Sequence, residues 1–384
     1  MAERMNGSGR PDVVVVGAGI VGAACAHALA RDQFRVLVCE AAFPGGGTTA
    51  AGMGHIVVMD DSPAQLALTV LSRKLWTTLA PTLSLACEDE RPGTLWIAAT
   101  DEEMAAVHQK RALCERVGVR ADALDGQALA RAEPHLRPGL AGALFVPDDR
   151  VLYPPNAARW LLDAAVERGA TVRLGASVRS IGAGAVTLTQ GSGSETITTG
   201  AVVLATGIDA PQLVPRLGVV PRKGHLVITD RYPGLVRSQL VELGYLHSAH
   251  SMSGASTAFN VQPRPTGQLL IGSSRELVGR DATINPMIVH EMVARAVQFV
   301  PALGACLAIR TWTGFRPATA DQLPLIGPWP EIPGLWIATG HEGLGITTAT
   351  GTAAIVAAGI AGRTVPLDAA PFRPDRPMPT LEVA

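Results

Sequence analysis

The fold is decided near the amino terminus by the stretch Asp12-Val13-Val14-Val15-Val16-Gly17-Ala18-Gly19-Ile20-Val21-Gly22. Its β-branched run predicts a buried strand, and the apolar periodicity of residues 23–30 predicts a helix. A second predicted strand, residues 35–39, ends at Glu40, which is 18 residues past Gly22. Strand, glycine turn, helix, strand and acid form the complete context of the GxGxxG fingerprint. We therefore expect a dinucleotide at this turn.

The glycine turn has a physical purpose. Glycines let the backbone approach a pyrophosphate at a helix N-terminus, where free N–H groups and the helix dipole favour an anion. Glu40 would then accept hydrogen bonds from an adenosine ribose, and the alternative is a glycine-rich turn beside a surface glutamate. The candidate cofactor-binding residues of this unit are Gly17, Gly19, Ile20, Val21, Gly22, Glu40 and Ala41.

The next part of the chain favours FAD over NAD. Residues 44–55 are rich in Gly, Thr and Ala, too small and polar for a core but suited to close approach by a ligand. An NAD domain would continue with regular βαβ repeats. Here a helix (159–169), short strands (171–174 and 177–181) and a buried strand (201–204) before Ala205-Thr206-Gly207 return only much later. The dinucleotide domain is thus expected to resume after an insertion.

A strand, a glycine turn and a helix recur near the end of the chain. The predicted strand is 335–338 and the helix 346–362, with Gly340, Gly343 and Gly345 between them. This gives a second helix N-terminus for a cofactor, or simply a core helix. Residues 96–150 and 221–316 carry strand-like and hairpin-like runs. We predict an α/β fold with a cofactor domain (10–90, 151–215 and 317–365), an inserted mainly β substrate domain (91–150 and 216–316) and a tail (366–384), read as a surface strap or frayed end.

Composition excludes several classes of protein. The chain has 384 residues, 47% of them hydrophobic and 17% charged, which is typical of a globular protein. A net charge of −1 without a basic run argues against nucleic acid. Five scattered cysteines without a CxxC pair predict no disulfide framework, zinc site or iron–sulfur motif, and fit a reducing cytoplasm. The glycine-interrupted apolar run 13–30 predicts no membrane span, and no signal-peptide pattern precedes it.

Four motifs together resemble the D-amino-acid oxidase and glycine oxidase superfamily of flavoproteins, over residues 13–362. Within that superfamily, residues 52–61 and 340–348 look most like the FAD subunits of bacterial D-hydroxyproline dehydrogenases and of related opine or cyanide-forming enzymes. The motifs are the Gly17–Gly22 turn with Glu40, Thr48-Thr49-Ala50-Ala51-Gly52-Met53, residues 202–207 with Pro221-Arg222-Lys223-Gly224, and Trp312-Thr313-Gly314-Phe315-Arg316-Pro317 leading through Asp321, Pro324 and Gly327 to Gly340-His341.

The resemblance implies a Rossmann-like FAD domain of the glutathione-reductase type with an inserted, mainly antiparallel β substrate domain. It places Thr48 and Thr49 near the phosphates or the flavin ring, and Val178 beside the adenine. The turn at 340–346 would face the flavin, where a helix N-terminus favours negative charge on the ring. No cysteine stands at the family position for a covalent link, so non-covalent FAD is expected. The further cofactor-binding candidates are Thr48, Thr49, Ala50, Gly52, Met53, Val178, Ala205, Thr206, Gly207, Gly340, His341, Gly343, Leu344, Gly345 and Ile346.

The implied reaction removes a hydride from the carbon next to nitrogen in a small amino or imino acid. It needs a neutral amine and precise orientation, but neither a nucleophile nor a metal. Arg316 matches the family arginine that pairs with the substrate carboxylate; the alternative is a structural arginine that binds loop carbonyls. His55 and Glu342 are candidates for binding the substrate ammonium or a hydroxyl. The alternatives are a satisfied loop histidine and a glutamate that faces solvent or forms a salt bridge elsewhere.

The sequence also departs from its relatives. Gly343 replaces a second arginine of the glycine oxidases, and Asn260 stands for a substrate-domain tyrosine. Leu270 replaces the lysine with which sarcosine oxidases promote reaction with oxygen, which favours another electron acceptor.

We therefore predict a D-hydroxyproline dehydrogenase-like enzyme that passes electrons to partner subunits or a quinone; a homo-oligomer is compatible with the sequence. The alternatives are a glycine, D-amino-acid or sarcosine-type oxidase that makes hydrogen peroxide, a non-catalytic FAD-binding electron-transfer subunit, and an NAD-only dehydrogenase.

Overall fold

The architecture comes from a computed structural model, which describes residues 9–58, 62–244 and 255–379. Met59, Asp60 and Asp61, part of one motif above, lie outside the described residues. The helices are α1 Ile20–Arg31, α2 Gly47–Ala50, α3 Pro63–Leu79, α4 Asp101–Arg116, α5 Gly126–Ala132, α6 Pro154–Val166, α7 Ala210–Leu213, α8 Pro286–Phe299 and α9 Gly345–Ile360. The strands are β1 Val13–Val16, β2 Val36–Glu40, β3 His55–Ile56, β4 Thr94–Ala98, β5 Asp122–Asp125, β6 Gly142–Val146, β7 Arg150–Val151, β8 Thr171–Leu174, β9 Ala176–Gly182, β10 Ala185–Gln190, β11 Gly193–Thr198, β12 Ala201–Leu204, β13 Val220–Arg231, β14 Gln239–Glu242, β15 Ser256–Pro263, β16 Gln268–Arg275, β17 Ala308–Ala318, β18 Leu325–Pro328 and β19 Leu335–Thr339.

A six-stranded sheet, ordered β18-β19-β12-β1-β2-β8, forms the first layer. Its strands are parallel except for β18, which pairs antiparallel with β19. All four valines of β1 are buried, as expected for a central strand covered on both faces. Helices α1, α6, α9 and α3 pack together on one face. The indole N–H of Trp76 on α3 donates to the carbonyls of Ile346 and Thr347, at 3.1 and 3.0 Å, and thereby fixes the first turn of α9.

An eight-stranded sheet, ordered β17-β13-β16-β15-β14-β4-β6-β5, forms the second large layer. Neighbouring strands are antiparallel with one exception, the parallel pair of β4 and β14. Helix α8 covers β15 and β16, and the rings of Phe259 and Phe299 stack at 4.3 Å. The strands of each large sheet fall within the segments predicted for its domain, apart from the last two residues of β17. The α/β class with an inserted, mainly antiparallel unit is thus confirmed, whereas the exact domain boundaries stay predictions.

Several elements differ from the sequence-based expectation. Helix α6 begins at Pro154 rather than 159, because Pro154 and Pro155 preset the backbone of its first turn. Helix α4 lies where only strand-like runs were expected. Of its sixteen residues only Val107 and Cys114 are buried, so its sequence lacks the apolar stripe that predicts a helix. The tail is a strap as far as residue 379: Phe372 is fully buried and the guanidinium of Arg376 binds Asp321 through two nitrogens, at 2.7 and 2.8 Å. Residues 380–384 lie outside the described part.

The stretch Glu342–Ile360, which contains α9, is long and apolar enough to cross a membrane. It packs against α1 and α3, and 61% of its most apolar window is buried inside the protein. The structure therefore uses α9 as a core helix, with its N-terminus at the boundary between the two large sheets.

Candidate active site

A cavity of about 780 Å³ runs from the first turn of α1 to the face of the eight-stranded sheet. Its two ends are chemically different, since one is built from glycines and backbone and the other from charged and polar side chains. The predicted residues that line it are Gly17, Gly19, Ile20, Val21, Glu40, Ala41, Thr48, Thr49, Gly52, Met53, His55, Val178, Ala205, Thr206, Gly207, Arg316, His341, Glu342, Gly343, Gly345 and Ile346.

The glycine turn is fixed by close backbone contacts. Gly17 has a φ of +98°, and a Cβ there would stand 2.7 Å from the carbonyl oxygen of Ala205. The hydroxyl of Thr49 accepts a hydrogen bond from the backbone N–H of Ile20 at 3.0 Å. Together these contacts bring the N-terminus of α1, the end of β12 and α2 around one end of the cavity.

Glu40 is held at the end of β2 by its own surroundings. One carboxylate oxygen accepts from the N–H of Ala18 at 2.7 Å, and the other accepts from Ala42 at 2.8 Å. These bonds fix the carboxylate at the rim of the cavity while each oxygen keeps a further lone pair. A ribose hydroxyl is a suitable donor for it.

The residues present fit a bound FAD. Within the part of the chain that the structure describes, the buried hydroxyl oxygen of Thr206 has no hydrogen-bond partner, although it lines the cavity. A buried polar atom without a partner is costly, and a bound ligand group would satisfy it. The glycine turn, the orphaned hydroxyl and the anchored carboxylate of Glu40 are what a pyrophosphate and a ribose require.

Four predicted cofactor residues do not line this cavity. Gly22 is needed for packing, because a Cβ there would stand 2.0 Å from the carbonyl of Gly17. Ala50 is exposed on the outer side of α2. At Gly340 (φ +75°) a Cβ would meet the side chain of Thr319 at 2.7 Å, so this residue serves the turn itself. Leu344 lines a smaller, neighbouring cavity.

His341 borders the ligand space, and its ring is bound to helix α9. Its Nε2 lies 2.9 Å from the hydroxyl of Thr352 on α9. Burial lowers the pKa of His341 to about 3, so the ring is neutral. This arrangement fixes the turn before α9.

Arg316 lies on β17 at the polar end of the cavity. Its Nη1 donates to the carbonyl of Ser274 at 2.9 Å, so the structural role considered above exists. The guanidinium also borders the cavity, and a guanidinium carries five N–H donors in all. The two roles are compatible, because the bond to Ser274 orients the group for a second partner.

Glu342 is the carboxylate that faces the arginine side chains at the polar end of the cavity. It has a φ of +47°, and its carboxylate lies 3.4 Å from Arg222 and 3.7 Å from Arg275, both buried. Burial acts to raise the pKa of Glu342, but the charges of Arg275, Arg316 and Arg222 outweigh it and hold the pKa below its ordinary value. Three arginine charges thus act on this one carboxylate. The salt bridge considered as the alternative for Glu342 is thus present, and contact with substrate stays a prediction.

His55 is held in a hydrogen-bond network on β3. Its Nδ1 lies 2.5 Å from Gln239 Oε1, and its Nε2 lies 3.4 Å from Asn260 Nδ2. Its carbonyl accepts from the hydroxyl of Thr347 on α9 at 2.9 Å, which fixes the strand. Burial lowers the pKa of His55 most; the bond to Gln239 opposes this, and the charge of Arg316 adds to the lowering. His55 is therefore neutral at neutral pH.

A second cavity of about 160 Å³ opens beside the polar end. It shares His55, Asn260, His341, Glu342 and Gly343 with the first cavity, so the two meet at these residues. Trp96, Val241 and Leu344 supply apolar walls. This space can hold the carbon skeleton of a small substrate.

Sequence reasoning missed Gln239 and Arg275. Gln239 becomes visible only through the register of two strands, because the parallel pair of β14 and β4 sets it beside Thr94. Arg275 is at the end of β16 and lies 4% exposed within reach of Glu342. No local motif marks either residue.

Comparison with known proteins defines the class. The chain matches the family described as FAD dependent oxidoreductase over residues 12–358, and it belongs to that family. The prediction of an FAD-dependent flavoprotein enzyme is thus confirmed.

Among curated relatives, glycine oxidase from Geobacillus kaustophilus is 29% identical, covering 94% of this chain and 96% of the relative. The hydrogen cyanide synthase subunit HcnC from Pseudomonas aeruginosa is 28% identical, covering 94% and 95%. The crystal structure of glycine oxidase from Geobacillus kaustophilus superimposes with a TM-score of 0.85 at 28% identity, covering 96% of this chain and 100% of that one. These likenesses place the chain among the FAD-dependent amino-acid oxidases and dehydrogenases.

Proposed function

We propose that this protein oxidises the C–N bond of a small cyclic or secondary amino acid of the D-hydroxyproline type, by hydride transfer to FAD. The observation that carries the proposal is the placement of Arg316, His55 and Asn260 on the wall of one cavity. An α-amino acid carries its carboxylate and nitrogen on the same carbon. A cation for the first and a neutral acceptor for the second match that arrangement.

The residues divide the work between them. Arg316 binds the carboxylate through charge-assisted hydrogen bonds. The side-chain oxygen of Asn260 accepts a hydrogen bond from the nitrogen and orients it, while the positive charge of Arg316 disfavours the protonated ammonium and so favours the amine whose lone pair can form the C=N bond. FAD, when bound, supplies the acceptor for the hydride. The apolar walls of the smaller cavity exclude water from the reacting carbon.

The electron acceptor belongs to the same proposal. Leu270, at the position of the oxygen-activating lysine of sarcosine oxidases, is buried against Met53 and Leu226. An apolar side chain offers no charge to promote reaction with oxygen, so we propose a dehydrogenase that passes electrons to a partner subunit or a quinone. The name of one relative, a synthase subunit, supports such an assembly. A cytoplasmic location is part of this proposal.

The test is anaerobic bleaching of the flavin absorbance with a panel of D- and L-amino acids, glycine, sarcosine, and cis- and trans-hydroxyprolines. Fast bleaching by a cyclic D-amino acid, followed by slow recovery in air, is the expected result. Fast recovery in air would favour the alternative of an oxidase that makes hydrogen peroxide. Absence of bleaching by every member would overturn the proposal and favour a non-catalytic electron-transfer subunit.

A further inference from the structure

A line of side chains runs from the buried interior of the eight-stranded sheet to His55. The parallel register of β14 and β4 pairs Gln239 with Thr94, so both side chains project from the same face of the sheet. Gln239 is fully buried and lines the smaller cavity beside His55. Strand β3, which carries His55, pairs in turn with β7, where Arg150 presents its carbonyl to Gln239.

The direction of each hydrogen bond follows from the groups involved. The amide nitrogen of Gln239 lies 3.2 Å from the hydroxyl of Thr94 and 3.2 Å from the carbonyl of Arg150. A carbonyl can only accept, so the Gln239 Nε2 must face these two groups and its Oε1 must face His55. Because that oxygen also can only accept, Nδ1 of His55 must carry the proton.

Asp149 lies beyond Thr94 on the interior side. Its carboxylate is completely buried and lies 3.5 Å from Arg73. Burial raises the pKa of Asp149 to about 7, while the bonds from Thr94 and Arg73 oppose the rise. The hydroxyl of Thr94 accepts from Gln239, because the amide nitrogen can only donate.

The tautomer of His55 also determines the orientation of the Asn260 amide beside it. A neutral His55 with its proton on Nδ1 has a lone pair on Nε2, so Asn260 must turn its amide nitrogen toward it, as observed at 3.4 Å. Among the residues that the structure describes, the oxygen of Asn260 is then buried in the wall of both cavities without a hydrogen-bond partner. Because the one lone pair of His55 Nε2 is taken by the amide nitrogen of Asn260, the acceptor that faces the cavity is Asn260 Oδ1.

We propose that Gln239, held by Thr94 and the carbonyl of Arg150, is a positioning residue that locks His55 in its Nδ1–H tautomer. His55 Nε2 then fixes the amide of Asn260, so that Asn260 Oδ1 faces the substrate as an acceptor. This inference rests on the proposed function and deepens it. An acceptor at this place matches a substrate with an N–H group beside the reacting carbon, as in a primary or secondary amine.

The first test is the protonation of His55, observed in histidine-labelled holoenzyme by ¹⁵N NMR and assigned with His55→Gln. We expect Nδ1 to be protonated in the wild type. Gln239→Leu should shift the ring toward the Nε2–H tautomer, whereas Gln239→Glu, which keeps an accepting oxygen, should retain the Nδ1 proton. A wild-type ring protonated at Nε2, or a tautomer that ignores Gln239→Leu, would overturn the inference.

The second test is kinetic and uses substrate found by the bleaching panel. Gln239→Leu should raise KM about tenfold, the effect of one net hydrogen bond, with a smaller change in kcat. Thr94→Val should raise KM by a smaller factor, whereas Thr94→Ser, which keeps the hydroxyl, should have the KM of the wild type. Thr199→Val is the matched control, because Thr199 is equally buried but lies outside both cavities. If no compound bleaches the flavin while the NMR result holds, the proposed function fails and the positioning line stands. A KM that Gln239→Leu leaves unchanged would contradict the line's role in binding.

Discussion

The guanidinium of Arg316 lies against the α-carbon of Gly224, where an added Cβ would stand 2.3 Å from Nη1. The residues belong to adjacent antiparallel strands, in which the register pairs Arg222 with Arg316 and Gly224 with Gly314. A Cβ at Gly314 would likewise stand 2.3 Å from that of Ala51. Two facing glycines thus let the sheet approach the cofactor domain and give the arginine its place.

We predict that Gly224→Ala displaces Arg316 and raises KM for the amino-acid substrate by about tenfold to a hundredfold. Loss of a charge-assisted hydrogen bond is worth about 1.5–3 kcal/mol, which corresponds to that range. Steady-state kinetics with a dye acceptor would measure it. Gly182→Ala is the control, because a Cβ there meets nothing within 4 Å. An unchanged KM would mean that Arg316 does not hold the carboxylate.

Glu40→Gln should weaken FAD binding at least tenfold. The change places an amide NH₂ where a carboxylate oxygen now accepts from the backbone of Ala18 or Ala42, so two donors would face each other. Fluorescence titration of the apoprotein with FAD gives the dissociation constant. Glu115→Gln, an exposed change on α4, should leave it unaltered. Equal affinities of the Glu40 variant and the wild type would rule out a role for this carboxylate at the ribose.

Acid should destabilise the protein through His27, which is buried on α1 with its ring 5.9 Å from that of Trp160. Burial lowers the pKa of His27 from 6.5 to about 4, and the charges of Arg168 and Arg31 add to the lowering. The unfolded chain therefore binds more protons between these values. The contribution of His27 to the free energy of unfolding is fully present above pH 6.5. It is lost as the pH falls toward 4, and the loss amounts to about 3 kcal/mol.

The measurement is urea unfolding at pH 7 and pH 4.5 with saturating FAD. His27→Gln should flatten the dependence of the free energy of unfolding on pH. His108→Gln, on α4 away from the core, should not. Parallel slopes for wild type and His27→Gln would show that the buried ring does not set the acid response.

The tail should stabilise the wall of the smaller cavity. Arg376 is 9% exposed in its side chain and binds the carboxylate of Asp321 and the carbonyls of Leu323 and Pro324. Asp321 and Leu323 line that cavity. Removing one partner of a buried pair costs about 3–5 kcal/mol, so Arg376→Ala should lower the free energy of unfolding by that order and raise KM.

Arg373→Ala offers the comparison, because Arg373 pairs with Asp375 at an exposed position and should contribute little. Thermal unfolding of both variants, with kinetics at the same temperature, separates the effects. If the two substitutions behave alike, the strap does not support the cavity wall.

Local patterns predicted the parts of the fold that local physics controls. The strand β12 and the strand β8 have the predicted limits, and β1 with the glycine turn follows directly from four valines and three glycines. Helix α4 was not predicted, because its largely exposed surface gives no apolar stripe. Its N-cap Thr100, whose hydroxyl accepts from the N–H of Glu103, is a sequence signal that could have indicated the start of the helix. Asn285 and Pro286 would have marked α8 in the same way.

The candidate site was predictable only where it is contiguous in sequence. His55, Arg316 and Glu342 stand in or beside recognisable motifs, and the structure brings all three to one cavity. Gln239 could not be predicted, because its role depends on Thr94, 145 residues away, across a strand pair that no local pattern specifies. The direction of the hydrogen bonds around His55 likewise depends on the assembled sheet and not on a local sequence pattern.

Helix α9 ties the ligand to the folding of the whole chain. Its first turn borders the cofactor cavity while most of its length lies in the core against α1 and α3. Whatever binds that turn therefore adds its free energy to the core, by an amount that grows with the logarithm of ligand concentration. The lifetime of this protein in a cell is consequently coupled to flavin supply: when FAD is scarce, the apoprotein unfolds more often and is open to proteolysis before any substrate reaches it.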